Sequence, residues 1–322
     1  MAAEPQSAIP IVDFSVFGVH KDNIDDTSEE AHNLGAEILR AFSSVGFVYL
    51  RNHGIPESKV EDVQKVSETF FELPKEKKQN YSRLSDGSNH GWIALERERL
   101  NPARAAADLK EAFNVPVLNN TKVKWPNDEA PGFESKVGEL YNQCIKLTFR
   151  VLHAVSLGMD LKDKNWLLDC HKGIGKHGNA TTMRILYYPP ITNNNLVKPG
   201  QVRCGEHSDY GTITLLFQDE FGGLEVLPLN SDYIPAPYIP GCVLVNIGDL
   251  MMRWTADKLI STKHRVLVPE EELKRRRARR SIAFFVHPDD DVMVECLDGS
   301  NKYPAVTGGE YLKQRFAATY EY

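Results

Sequence analysis

The chain has no long apolar run. Its longest, such as Cys242–Val245 and Ile282–Val286, fall far short of the roughly 20 residues that a membrane-spanning helix needs. The opening Met1–Ser7 has no basic stretch leading into an apolar one, as a secretory signal has. The closing Tyr-Glu-Tyr matches no targeting or lipidation signal. Cysteine is scarce: Cys144, Cys170, Cys204, Cys242 and Cys296 are scattered, odd in number and never spaced Cys-x-x-Cys. That pattern argues against a disulfide framework and for reduced thiols in an intracellular, by default cytoplasmic, protein. Basic residues are not in excess either, and a formal charge of −6 with a pI near 6.0 argues against binding nucleic acid by neutralising phosphates. There is no Gly-rich phosphate loop and no Gly-x-Ser-x-Gly elbow, which sets aside the common nucleotide-binding and serine-hydrolase designs. The expected partner is a small molecule, not a nucleic acid or a membrane. Nothing in the pattern selects an oligomeric state.

What is present is a globular composition, 42% hydrophobic and 25% charged, so neither disorder nor a coiled coil is expected. Ile9–Phe14 reads as a short opening strand. Leu34, Ile38, Leu39 and Phe42 recur at helical spacing, and Gly46–Leu50 is a strand. Pro56 starts a second helix with Val60, Val63, Val66 and Phe70 on one face. The polar, Pro-punctuated stretch from about Leu73 to Pro131 reads as loops with short helices. The clearest helix runs from Phe133 to Leu161, with a continuous stripe from Val137 through Leu140, Cys144, Leu147 and Val151 to Val155. Beyond it the texture changes to short β-rich runs: Thr181–Tyr188, Thr212–Phe217, Leu224–Leu227, Cys242–Ile247, His264–Val268 and Ser281–His287. Turn signals such as Asp219–Gly223 and Ile239–Gly241 separate them. Strands at that spacing, without long helices between, predict an antiparallel sandwich or barrel with helices packed outside. The expectation is a helix-rich N-terminal region, 1–130, and a long helix plus β core, 131–322, forming one compact unit.

His207 and Asp209 stand two apart in Gly205-Glu-His-Ser-Asp-Tyr210. On an extended segment such residues point to the same face, and His264, opening a later strand, can complete the set. Two histidines and one carboxylate on one face of an ion leave adjacent coordination positions open, as in non-haem Fe(II) oxygenases. His-x-Asp alone arises often by chance, and alone it favours ordinary polar residues. A second signal moves the balance: Arg279 and Ser281 share a strand face further on. A guanidinium beside a hydroxyl forms a fork for a carboxylate. Together the two sites suit a dicarboxylic oxo acid, chelating at one end and salt-bridged at the other.

At this point the chain resembles the isopenicillin N synthase-like family of Fe(II)/2-oxoglutarate-dependent dioxygenases. The likeness runs through Ile9–Phe14, Gly46–Ile55, Met183–Pro190, His207-Ser-Asp209, Gly222–Val226, Asn246–Leu250, Ser261–Val266 and Arg279–Ser281 in order. It implies a mainly β fold with flanking helices around a double-stranded β-helix (jelly roll). It implies Fe(II) on His207, Asp209 and His264, 2-oxoglutarate with its distal carboxylate on Arg279 and Ser281 assisted by Tyr188, and O2 as oxidant. The implied activity is hydroxylation, desaturation or ring rearrangement of a small organic molecule, with release of succinate and CO2. Two features depart from the pattern. Leu186 stands where many plant members carry Asn, and the basic run Lys274–Arg280 leaves Arg277 and Arg280 as alternatives to Arg279. Arg279 is preferred because it shares a face with Ser281 two residues on. The resemblance and strand parity together suggest Phe113, Phe217 and Phe285 as pocket walls. Alternative readings are a 2-oxoglutarate-independent Fe(II) oxidase of the same fold, or a catalytically silent binding module. The basic run reads as a solvated loop rim, His53 as a structural turn residue, and Cys170, His171 and His177 lack the spacing of a zinc site.

Overall fold

The structure is a computed structural model that describes residues 8–83, 89–98, 106–120, 122–192, 197–198, 201–271 and 275–320. The readings made above on Met1–Ser7, Lys274 and the last two residues lie outside these. The helices are α1 (Glu29–Ser44), α2 (Glu57–Phe71), α3 (Lys75–Lys78), α4 (Phe133–Gly158), α5 (Trp166–Asp169), α6 (Asp249–Trp254) and α7 (Gly308–Tyr320). The first strands are β1 (Ile11–Asp13), β2 (Phe47–Arg51), β3 (Gly91–Ile93), β4 (Glu111–Val115) and β5 (Thr182–Tyr188). There follow β6 (Cys204–His207), β7 (Ile213–Gln218), β8 (Leu224–Leu227), β9 (Ile234–Pro235), β10 (Cys242–Ile247), β11 (Lys263–Val266) and β12 (Arg279–Val286), with a small terminal pair, β13 (Met293–Val294) and β14 (Val306–Thr307).

Helix α1 starts where its chemistry predicts: the Ser28 hydroxyl accepts from the Ala31 amide, and Glu29 and Glu30 complement the positive end of the dipole. The stripe read from Val137 to Val155 is buried along its whole length on α4, whose helix ends three residues short of the expected Leu161. Each buried Val or Leu there contributes roughly 1.5–3 kcal/mol of hydrophobic stabilisation. The stripe lies in the core between the helices and an eight-stranded sheet of order β1-β2-β10-β7-β12-β5-β4-β3. A second sheet, β6-β11-β8-β9, supplies the other half of the jelly roll.

Alternation along the large sheet separates two cores. Ile282, Phe284 and Val286 face the helices, Phe284 meeting the Tyr141 ring at 5.1 Å, while Ala283 and Phe285 belong to the inner cluster with Leu186, Tyr188, Leu244 and Val226. The inner face of the large sheet is therefore the one with Arg279, Ser281, Ala283 and Phe285.

The stretch expected to be loops, Leu73–Pro131, contributes strands β3 and β4 to the same sheet. All five residues of β4 are buried, including the polar Glu111 and Asn114, so the usual alternation of apolar and polar residues is absent from the sequence. Glu111 can sit there because Lys78 Nζ and Trp92 Nε1 donate to it at 2.7 Å each. On that strand Phe113 packs against Phe70, Trp125 and Phe133 on the helix side. Phe217 likewise belongs to the helix-side core, beside the His53 ring and at an outer cleft of about 340 Å³. Both are corrections to the expected pocket walls: their strand parity is opposite to that of Ser281, and of the three only Phe285 faces inward.

Several buried histidines make the fold sensitive to acid. Burial pushes His53, His90 and His171 each down to about 4. An unfolded chain takes up these protons near pH 6.5, whereas the folded chain resists until about pH 4. Stability is then complete above pH 6.5 and falls between 6.5 and 4, by roughly 1.4 kcal/mol per pH unit for each such group. Urea midpoints at pH 7 and pH 5 should differ strongly; equal midpoints would show that these imidazoles protonate within the fold.

Among the described residues, no helix is long and apolar enough to cross a membrane. None of the five cysteines is in a disulfide. His53 Nδ1 accepts from the Ile55 amide, a turn-stabilising contact. In the basic run Arg276 and Arg277 are exposed.

Candidate active site

His207 closes β6 and His264 lies in β11, and the antiparallel pairing sets the two directly opposite each other. Asp209, just beyond β6, brings its Oδ1 to 3.8 Å from His207 Nε2 and 3.7 Å from His264 Nε2. All three prospective ligand atoms lie within 4.8 Å of one another, and among the described residues no other such group of three occurs. Each imidazole is oriented by its other nitrogen: His207 Nδ1 donates to the Gly205 carbonyl at 2.8 Å and His264 Nδ1 to the Thr262 carbonyl at 3.1 Å. With Nδ1 protonated, Nε2 keeps its lone pair for an ion. Burial, and after it the neighbouring His264, push His207 down, which keeps the imidazole in its neutral, ligating form. Burial works against ionised Asp209, but the two imidazoles and two hydrogen bonds outweigh it and hold the carboxyl below its ordinary value.

Those two bonds come from the large sheet. Thr214 Oγ1 and Asn246 Nδ2 both donate to Asp209 Oδ2 at 2.7 Å, turning Oδ1 toward the histidines. The segment after β10 is seated directly on the Asp209 loop: a Cβ on Gly248 would collide with the Gly211 carbonyl, so the close approach requires glycine. Asp249 then ties the two ligand-bearing segments together, accepting from Ser208 at 3.1 Å, Ser261 at 2.6 Å and Arg315 of α7 at 2.9 Å. None of these supports is among the site residues expected from the sequence. Their signal was present as polar Asn246 at the end of an otherwise apolar strand, followed by Gly-Asp249. The donor set, two neutral nitrogens and one carboxylate oxygen with their other atoms fully occupied, fits Fe(II) with open positions.

Further along the same inner face, Arg279 is 1% exposed, and its guanidinium lies 4.8 Å from the centre of the Tyr188 ring. Its Nε donates to the Gly222 carbonyl at 2.8 Å, Nη2 to Gln218 Oε1 at 3.1 Å, and Nη1 approaches Ser281 Oγ at 3.3 Å. Arg280 turns the other way, to Glu68 at 2.8 Å on the helix side. Of the two neighbouring candidates, Arg279 enters the barrel. Leu186 pairs across the strands with Ser281 and adds apolar wall there. Cys204 is buried, its Sγ 3.3 Å from Lys110 Nζ. His171 is occupied by the Leu167 carbonyl and Thr212.

A jelly roll holding such a triad on its inner face defines a non-haem Fe(II) oxygenase. Comparison with known proteins places it further. Residues 9–131 match the family described as non-haem dioxygenase in morphine synthesis N-terminal, and residues 179–288 match the 2OG-Fe(II) oxygenase superfamily. The 2-oxoglutarate-Fe(II) type oxidoreductase ppzD of Metarhizium rileyi is 31% identical over 347 residues, covering 99% of this chain and 94% of that one. Proline hydroxylase buaE of Petromyces alliaceus is 33% identical, covering 88% and 92%. A full-length Neurospora crassa protein, crystallised in complex with alpha-KG and thymine, is 35% identical with a TM-score of 0.83, covering 97% of each chain. The chain belongs to the 2-oxoglutarate/Fe(II) oxygenase family, in its isopenicillin N synthase-like branch. It is an Fe(II)- and 2-oxoglutarate-dependent dioxygenase acting on a small organic molecule. The oxidase and silent-module alternatives gain no support from these relatives.

Proposed function

We propose that His207, Asp209 and His264 hold the Fe(II), that Arg279, Ser281 and Tyr188 hold the distal carboxylate of 2-oxoglutarate, and that the substrate is a compact nitrogen heterocycle the size of a pyrimidine base. The observation that carries the first two assignments is their placement in the interior between the two sheets, the histidines on the small sheet near the Thr214–Phe285 end of the large one and the buried fork at the Gln218 end of the large one. When bound, iron with 2-oxoglutarate supplies the power to activate O2 and oxidise a C–H bond. The chain's own part is to position and to exclude water. Asn246 and Thr214 aim Asp209, the Gly205 and Thr262 carbonyls aim the imidazoles, and the inner apolar cluster keeps the site dry.

The substrate reading is supported by what stands beside the triad. Phe285 is paired with Thr214, the residue that bonds Asp209, and with Thr182 on its other side. Arg184, ion-paired with Glu98, lies diagonally across from Phe285 on the same face. A ring for stacking next to a guanidinium for carbonyl oxygens suits a flat, carbonyl-bearing heterocycle. The Neurospora crassa protein, similar over the whole chain, has been solved with thymine and with 5-formyluracil. The acidic net charge supports a free molecule over a base within nucleic acid, and cysteines outside any disulfide support a reducing compartment such as the cytoplasm. The chain is read as one catalytic unit, since residues 1–130 lend β1, β2, β3 and β4 to the sheet that carries the fork.

The test is succinate release by the iron-loaded protein with thymine, uracil, 5-formyluracil or free proline, each matched to consumption of the compound. Coupled turnover is expected with a pyrimidine. Coupling to proline with pyrimidines at background would move the substrate class to amino acids.

A further inference from the structure

Two arginines are among the largest fully buried side chains of the protein, Arg203 at 0% and Arg279 at 1% exposure. Arg279 spends its donors on Gly222, Gln218 and Ser281. Arg203 does not. Its Nη2 donates to the Arg277 carbonyl at 3.3 Å, while its Nε and Nη1 have no hydrogen-bond partner. Among the described residues, neither guanidinium is ion-paired with a carboxylate. Burying a cation in this way is costly unless an anion arrives to meet it.

The two cations come to one corner from opposite sheets. Arg203 leads into β6 of the small sheet, and its Nη2 reaches the carbonyl of Arg277, two residues before Arg279 at the head of β12. Arg279 is the cross-strand partner of Tyr188 in the large sheet. Burial, and after it the positive field of Arg279, push the Arg203 guanidinium down to about 10, while Tyr188 and Asp219 act in the other direction. Arg203 thus lies beside the segment that leads to Arg279, with two unpartnered N–H donors, Nε and Nη1, in the same buried region.

We propose that Arg203 is a second guanidinium for the distal carboxylate of the cosubstrate, which the corner holds between one arginine from each sheet. This rests on the reading that Arg279, Ser281 and Tyr188 receive that carboxylate. Arg203 then supplies N–H donors that are idle without the anion, and sharpens selection for 2-oxo acids bearing a second carboxylate. The alternative, a structural cation that merely pins the Arg277 carbonyl, predicts no such selectivity.

The experiment measures anaerobic binding of 2-oxoglutarate and of 2-oxopentanoate, which lacks the distal carboxylate, to iron(II)-loaded wild type, Arg203→Met, Arg203→Lys and Arg279→Met. Binding is followed by the charge-transfer band and by melting temperature. Arg203→Met is expected to raise the Kd for 2-oxoglutarate about 10- to 100-fold and to leave that for 2-oxopentanoate within about two-fold, while melting no lower than wild type without ligand. Should Arg203→Met fail to fold, Arg203→Lys decides: the ratio of the two affinities should still fall several-fold, and an unchanged ratio overturns the proposal. Normal 2-oxoglutarate binding by Arg203→Met with loss in Arg279→Met overturns the proposal and leaves the fork intact. Equal weakening of both oxo acids by Arg203→Met also overturns it. Normal binding by Arg279→Met instead removes the fork itself.

Discussion

Replacing Asp209 by Ala or Asn is expected to strip the protein of iron and bring 2-oxoglutarate-dependent succinate release to background. Asp209 is the one anion of the three prospective ligands, and its Oδ1 faces both histidines. Loss of a mere supporting group around a metal ligand typically costs about 10- to 100-fold in affinity or activity, so removal of the ligand itself should cost more. The two variants separate metal loss from collapse. Alanine leaves the Thr214 hydroxyl and Asn246 amide without their acceptor, at a cost of about 1–3 kcal/mol in stability. Asparagine keeps an oxygen for them and removes the charge alone. Iron per chain, measured colorimetrically beside a urea titration, distinguishes the effects. Full turnover in Asp209→Asn with normal iron would remove Asp209 from the ligand set.

The second large effect is a contrast between adjacent residues. Arg279→Ala should raise the 2-oxoglutarate KM by about 100-fold or more, since a charge-assisted contact to a carboxylate contributes roughly 1.5–3 kcal/mol and a bidentate one more. Arg280→Ala should change it less than about two-fold. Its guanidinium meets Glu68 and Asp219 on the helix side of the sheet, a partly buried pairing whose loss affects stability and not the cosubstrate. The measurement is KM for 2-oxoglutarate at saturating substrate in both variants. A larger effect in Arg280→Ala would place the carboxylate on the other face of β12. A comparable small effect in both would mean that the distal carboxylate is held elsewhere.

The sequence by itself determined what one strand or helix can encode. The stripe from Val137 to Val155 follows from helical periodicity, and the inward pairing of Arg279 with Ser281 from the two-residue repeat of a strand. The proximity of His207 to Asp209 needed only a spacing of two. The membership of His264 rested on a resemblance, because no local rule connects residues 57 apart. Tertiary structure decided the rest. It placed His264 opposite His207 by antiparallel pairing and brought Thr214 and Asn246 onto Asp209. It also turned β4, unreadable because its polar residues are buried beside charged partners, into a sheet strand. Phe113 and Phe217 show the limit most directly. Aromatic identity marks a residue for burial, but which side of the sheet it is buried on depends on register against neighbours far away in sequence, and both rings went to the helix side. The idle Nε and Nη1 of Arg203 belong to the same category: an arginine is written in the sequence, and which of its donors go unmet is decided only once the chain has closed around it.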